Sequence, residues 1–128
     1  MVIYCSKALQ KALKLTKADM VEAENIKEND FYSWHGHIAK VDGRNLIVLM
    51  NDKTMYCLLF RNKLPRTASK FANLVKEAIP YTLEAGSVNF KENNAYMSNL
   101  GDIVFALRII PDVSITYTKI MLQKILAQ

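Results

Sequence analysis

His35 and His37 stand two residues apart in the stretch SWHGHIAKV and are the only histidines in the chain. Successive side chains of a strand point to opposite faces, so both imidazoles share one side. Two histidines placed this way chelate a divalent cation once a third histidine or a carboxylate converges on them. Asp52, which follows Asn51 in a turn-like stretch, is the natural carboxylate to test there, as a ligand or as a general base. Each residue also has a plainer use. Asn-Asp is ordinary hairpin-turn chemistry, and the face shared by the histidines continues with Ala39 and Val41, which suits packing. No committed third ligand can be named, so no metal and no cofactor is assigned. The sequence has no nucleophile elbow, phosphate loop or paired-cysteine zinc spacing. A small metal-dependent hydrolase or nuclease built on His35, His37 and Asp52 therefore stands as the alternative reading, behind a binding function.

Binding chemistry is carried by cations and aromatic rings. Arg61, Lys63, Arg66 and Lys70 place four cations and no acid within ten residues, the densest basic stretch of the chain. Lys40 and Arg44, near the first predicted turn, extend this candidate surface. Phe31, Tyr32, Trp34 and Tyr56 cluster around the same region, where exposed rings beside cations would stack on bases and buried ones would simply pack. A further lysine trio, Lys7, Lys11 and Lys14, projects from one side of a predicted helix and reads as a solvated face.

Composition narrows the class. The 128 residues make one domain, long enough to bury a core without a metal or disulfide. Seventeen basic against twelve acidic residues give a net charge of +5, which favours nucleic acid or an acidic protein as partner. Cys5 and Cys57 fall in predicted strands and read as small buried hydrophobes of a reducing, cytoplasmic compartment. Every apolar run is far short of the roughly 20 residues that span a bilayer. Lysines interrupt the N-terminal segment where a signal peptide would be apolar. No membrane association is expected.

The elements that must hold these residues are readable in outline. A meander covers residues 34–60: strand Trp34–Val41, a turn at Asp42-Gly43-Arg44-Asn45, strand Leu46–Met50, a turn at Asn51–Thr54 and strand Met55–Phe60. The last two strands are nearly unbroken apolar runs, which predicts that both lie inside the sheet with both faces covered. Val2–Cys5 is a strand, capped into a helix over 7–15 by Ser6. Residues 16–30 read as an acidic, polar connection with a turn of helix. Thr67 caps an amphipathic helix that kinks near Pro80 and ends at Gly86. A short helix over 90–100, a strand over 102–107 and a terminal helix complete the reading: a single α+β domain, mainly antiparallel, around the meander.

The meander resembles a family of small uncharacterised bacterial proteins catalogued as a domain of unknown function. The resemblance rests on Ser33-Trp34-His35, the basic turn Gly43-Arg44, the run Leu46–Met50 closing in Asn51-Asp52, and Tyr56 on the next strand. Ile3–Ser6 before a Lys/Leu helix, and Glu77-Ala78-Ile79 with Leu83 before Gly86, also fit. His37, Met55 and Pro80 depart from the pattern, and the final third matches poorly. The resemblance implies the fold outline and an intracellular bacterial or phage setting, and brings no established activity. The leading reading is a non-catalytic binding protein, accessory or inhibitory, that docks Arg61, Lys63, Arg66, Lys70, Lys40 and Arg44 on nucleic acid or an acidic protein. The motif residues Trp34, His35, Asn51, Asp52 and Tyr56 form a second candidate set. A structural homo-oligomer, a homodimer in its simplest form, is a further alternative.

Overall fold

The computed structural model describes residues 1–22, 26, 28–61, 64–86 and 89–107. Lys63 and the predicted terminal helix lie outside the described residues. Among the described residues six strands form one sheet: β1 (Val2–Cys5), β2 (Met20–Val21), β3 (Ser33–Val41), β4 (Arg44–Asn51), β5 (Cys57–Phe60) and β6 (Val104–Leu107). Their spatial order is β2-β6-β1-β3-β4-β5. The helices are α1 (Lys7–Ala12), α2 (Ala68–Ala85) and α3 (Phe90–Ser98).

The predicted meander is present, with β3–β4 and β4–β5 both antiparallel. The other half of the sheet is parallel: β1 pairs with β3 and β6, and β6 pairs with β2. The sheet of this α+β domain is therefore mixed, because the segments that follow β1 and β5 cross over before the chain returns to the sheet. β5 also departs from expectation. It lies at the sheet edge, and Leu59 is 43% exposed. Its apolar run arises because Leu58 and Phe60 face the helices, while Cys57 packs beside Leu46 and Val48 on the opposite face. β4, buried from Leu46 to Asn51, is interior as predicted.

The first turn is tighter, and the second wider, than the sequence suggested. Val41 pairs with Arg44, so only Asp42 and Gly43 form the first connection, both at positive φ. Such two-residue turns match the right-handed twist of the strands they join. Arg44 and Asn45 consequently belong to β4. At the other end the chain leaves β4 at Asn51 and rejoins the ladder only at Cys57, with Met55 at φ 59°.

Helix α1 stops three residues early. Lys14 takes a left-handed conformation, its N–H bonding the Lys11 carbonyl while Leu15 N–H bonds that of Gln10. This is a Schellman closure with lysine where glycine is usual. Ser6 caps the helix start as predicted, accepting from Leu9 N–H. Thr67 caps α2 by accepting from Lys70 N–H, and Gly86 closes it. α2 runs through Pro80 without a break. The acidic connection holds 3-10 turns at Lys17–Asp19 and Asp30–Tyr32, and the two-residue β2, which periodicity could not reveal.

One sheet face meets the helices. Ile3, Trp34, Ile47, Leu49, Leu58 and Phe105 pack against Leu9 and Leu13 of α1 and its continuation, and against Phe71, Val75 and Ile79 of α2. Each fully buried side chain of this kind contributes about 1.5–3 kcal/mol relative to exposure. Among the described residues no helix is long and apolar enough to cross a membrane.

Gly36 sits where Leu9 of α1 packs against the sheet. A Cβ there would stand 2.5 Å from Leu9 Cδ2 and 3.1 Å from Leu49 Cδ2. Both neighbours are fully buried and have little room to give. Gly36→Ala should therefore lower stability by about 1–3 kcal/mol, read from the urea midpoint, and Gly36→Val should lower it further. An unchanged midpoint for both would show that α1 can move away from the sheet freely.

Candidate functional site

Trp34 and Asn51 are cross-strand partners on β3 and β4, and the motif residues of the sequence divide around this pair. Trp34, Asn51 and Tyr56 line a cleft on the helix side of the sheet. His35 and Asp52, each one residue away, meet on the opposite side, as strand alternation requires.

The cleft has a volume of about 550 Å³. Phe31, Tyr32, Trp34, Tyr56 and Tyr96 supply its aromatic wall, and Leu58, Ile79 and Leu83 its aliphatic floor. Asn51, Thr54, Asn99 and Glu92 are its polar lining. A buried hydrogen-bond network shapes the wall. Trp34 Nε1 donates to the Tyr96 hydroxyl at 3.1 Å, which donates to the Phe31 carbonyl at 2.9 Å. Asn51 Nδ2 donates to that same carbonyl at 2.9 Å. Asn51 Oδ1 accepts from Lys53 N–H, Thr54 N–H and the Thr54 hydroxyl, which fixes the turn carrying Asp52. The Tyr56 hydroxyl donates to the Thr82 carbonyl and so attaches the meander to α2. Tyr32 stacks on Tyr96 with centroids 4.6 Å apart, and Phe31 meets Tyr96 edge-on at 4.9 Å. Burial pushes the Tyr96 hydroxyl up to about 12 despite the opposing bond from Trp34, with smaller upward contributions from Tyr32 and Glu28.

On the opposite side His35 Nδ1 lies 2.5 Å from Asp52 Oδ1. The Tyr4 ring, cross-strand from His35 on β1, stacks on the imidazole at 5.0 Å. Burial first, and then the carboxylates of Asp52, Asp30 and Glu28, raise the Tyr4 hydroxyl above its ordinary value. The pair resembles a base held by a carboxylate, the arrangement that fixes one imidazole tautomer. His37 shares this face, paired with Val48. Among the described residues no three His, Cys, Asp or Glu side chains are grouped to hold a metal ion. Burial pushes the Cys5 thiol up to about 12 and raises that of Cys57.

The cationic candidates separate. Arg44 and Arg61 line one recess of about 380 Å³ with Asp42 and Asn45, because the antiparallel register carries the end of β5 back to the start of β4. Lys40, paired with Asn45, projects from the other sheet face. Arg66 and Lys70 are exposed at the start of α2.

Sequence reading found the meander aromatics and the residues of the His–Asp pair. It missed Tyr96, Glu92, Ile79 and Leu83, which come to the cleft from α2 and α3. Tyr4 carried no chemical signal at all. Phase along α3 would have placed Glu92, Ala95, Tyr96 and Asn99 on one side, but not which partner that side meets.

A family model described as Domain of unknown function (DUF6933) matches residues 2–108. That span extends the resemblance past the meander through α3 and β6. No curated protein and no solved structure matches the chain.

The network predicts a pH-dependent variant. Tyr96→Phe strands the Trp34 N–H and should cost about 1–3 kcal/mol at neutral pH. A raised phenol favours the folded state below the ordinary value of 10.0, and that contribution is lost as pH climbs towards about 12. The gap between wild type and variant in denaturant melts should therefore narrow between those values. A gap that stays constant would show that the hydroxyl ionises as freely in the fold as outside it.

Proposed function

Since the chain belongs to the DUF6933 family, a domain with no activity attached to its description, we propose on physical grounds that it is a non-catalytic binding protein whose basic meander end docks an anionic partner. The observation that supports this reading is the convergence of Arg44 and Arg61 on one recess from positions far apart in the chain. Two guanidinium groups beside a concave surface suit phosphate or carboxylate, which they bind in a bidentate fork. Arg66 and Lys70, with Lys40 on the reverse face, add positive charge around that end, and Lys63 belongs to the same sequence run. Nucleic acid or an acidic protein surface is the partner, and an accessory or inhibitory role in a bacterial or phage setting fits a small basic domain of this kind.

A second reading has one observation in its favour, the hydrogen bond between His35 and Asp52. It makes the protein a small hydrolase or nuclease, with His35 as the base, Asp52 orienting it and His37 beside them. Turnover of phosphodiester or ester substrates, abolished by His35→Ala and by Asp52→Asn, is its expected result. No turnover under any metal supplement would end it.

The leading reading is tested by anisotropy titrations against single- and double-stranded DNA and RNA over a range of salt. Duplex affinity should fall with a slope of about −0.9 per neutralised phosphate in log–log form, and Arg44→Ala with Arg61→Ala should flatten that slope by about two. The double variant Lys7→Ala, Lys11→Ala removes the same charge from α1 and should alter binding far less. Equal losses from the two double variants would reduce the recess to part of a diffuse positive field. No nucleic-acid binding at low salt would leave acidic protein partners, found by capture on wild type against the arginine variant.

A further inference from the structure

The cleft is chemically unlike the basic end, and its chemistry specifies a ligand. Its volume of about 550 Å³ lies within the usual range for small-molecule sites, roughly 300–1,000 Å³. Polar groups of the wall are already committed: the Trp34 N–H and the Tyr96 hydroxyl to each other and to the Phe31 carbonyl, and the Tyr56 hydroxyl to the Thr82 carbonyl. Asn51 spends both ends of its amide on backbone and on Thr54. A ligand seated there has no buried hydrogen bond to satisfy, so the body that fits is apolar, and rings fit best against aromatic faces.

Charge decides the remaining group. Among the described residues Glu92 is the only charged side chain lining the cleft, and it is exposed at the first turn of α3. No described lysine or arginine lines it. Aromatic faces are themselves negative and attract cations, most strongly where water is partly excluded. An anion would meet both the carboxylate and the ring faces unfavourably.

We infer that the cleft is a binding site for a small organic cation, a protonated amine on a ring-bearing apolar body, with the ring against Tyr32, Trp34 and Tyr96 and the ammonium towards Glu92. This site is independent of the arginine recess at the other end of the meander, and either can fail without the other. It also gives the aromatic residues around the meander a role that base stacking does not supply, because no described lysine or arginine lines the cleft with them.

Trp34 is the only tryptophan in the chain and lies in the cleft wall, so its indole N–H signal reports occupancy directly. The full chain, labelled with nitrogen-15, is titrated at neutral pH with 2-phenylethylammonium, 2-phenylethanol and 3-phenylpropanoate, which differ chiefly in charge. The ammonium should shift the Trp34 signal and bind about three- to fivefold tighter than the alcohol, with the carboxylate weakest. Glu92→Gln should remove the advantage of the ammonium and leave the alcohol unchanged. Ala95→Phe, which adds a ring into the cleft from an exposed position on α3, should weaken all three. Carboxylate binding as tight as ammonium, equal binding of ammonium and alcohol, or no movement of the Trp34 signal up to about 10 mM of any probe would each overturn the assignment.

Discussion

The hydrogen bonding of Asn51 is the constraint on which the cleft end of this molecule depends. Its side chain is almost completely buried, and a buried amide without partners would cost several kcal/mol. Here the amide is fully engaged. The Nδ2 end holds the Phe31 carbonyl, and the Oδ1 end gathers the Lys53 and Thr54 amides. One residue thereby fixes the approach to β3, the end of β4 and the turn that follows. Trp34, its cross-strand partner, carries the same network on to Tyr96 of α3. Buried networks of this kind rigidify what they join, because every member loses if one partner leaves.

Two sites of opposite character follow from that rigidity. Strand alternation sends Trp34 and Asn51 into the cleft, and it sends His35 and Asp52 to the other face. The same backbone therefore positions an apolar aromatic wall and a polar His–Asp pair back to back. The far end of the hairpin is different again, with Arg44 and Arg61 around a polar recess. The meander is polarised along its length, aromatic at the cleft end and basic at the turn end. A net charge of +5 conceals this separation. The proposed basic partner surface and the proposed cation site can coexist because about eight residues of β-strand keep them apart.

Several misreadings of the sequence share a cause. The apolar run of β5 suggested an interior strand, yet an edge strand that faces helices on one side and a small apolar cluster on the other is equally apolar. β2 has two residues and no periodicity, and only its pairing with β6 makes it a strand. Helix α1 stops where Lys14 adopts a left-handed conformation, and nothing in a lysine announces that. Parallel pairing of β1 with β3 and β6 joins strands distant in sequence, which no local pattern encodes.

Local chemistry, by contrast, was legible wherever neighbours in sequence decide the outcome. The hairpin at Asp42-Gly43, the caps Ser6 and Thr67, the stop at Gly86 and the buried phase of β4 all depend on residues within a few positions of one another. The alternation that places His35 with His37 is equally local. Tertiary structure alone decided that Asp52 would reach His35, that Arg61 would return to Arg44, and that Tyr96 would close over Trp34. Those meetings span 17 residues in the first two cases and 62 in the third. They are set by strand register and by which helix face packs on the sheet, and a chain reveals neither until its elements have docked.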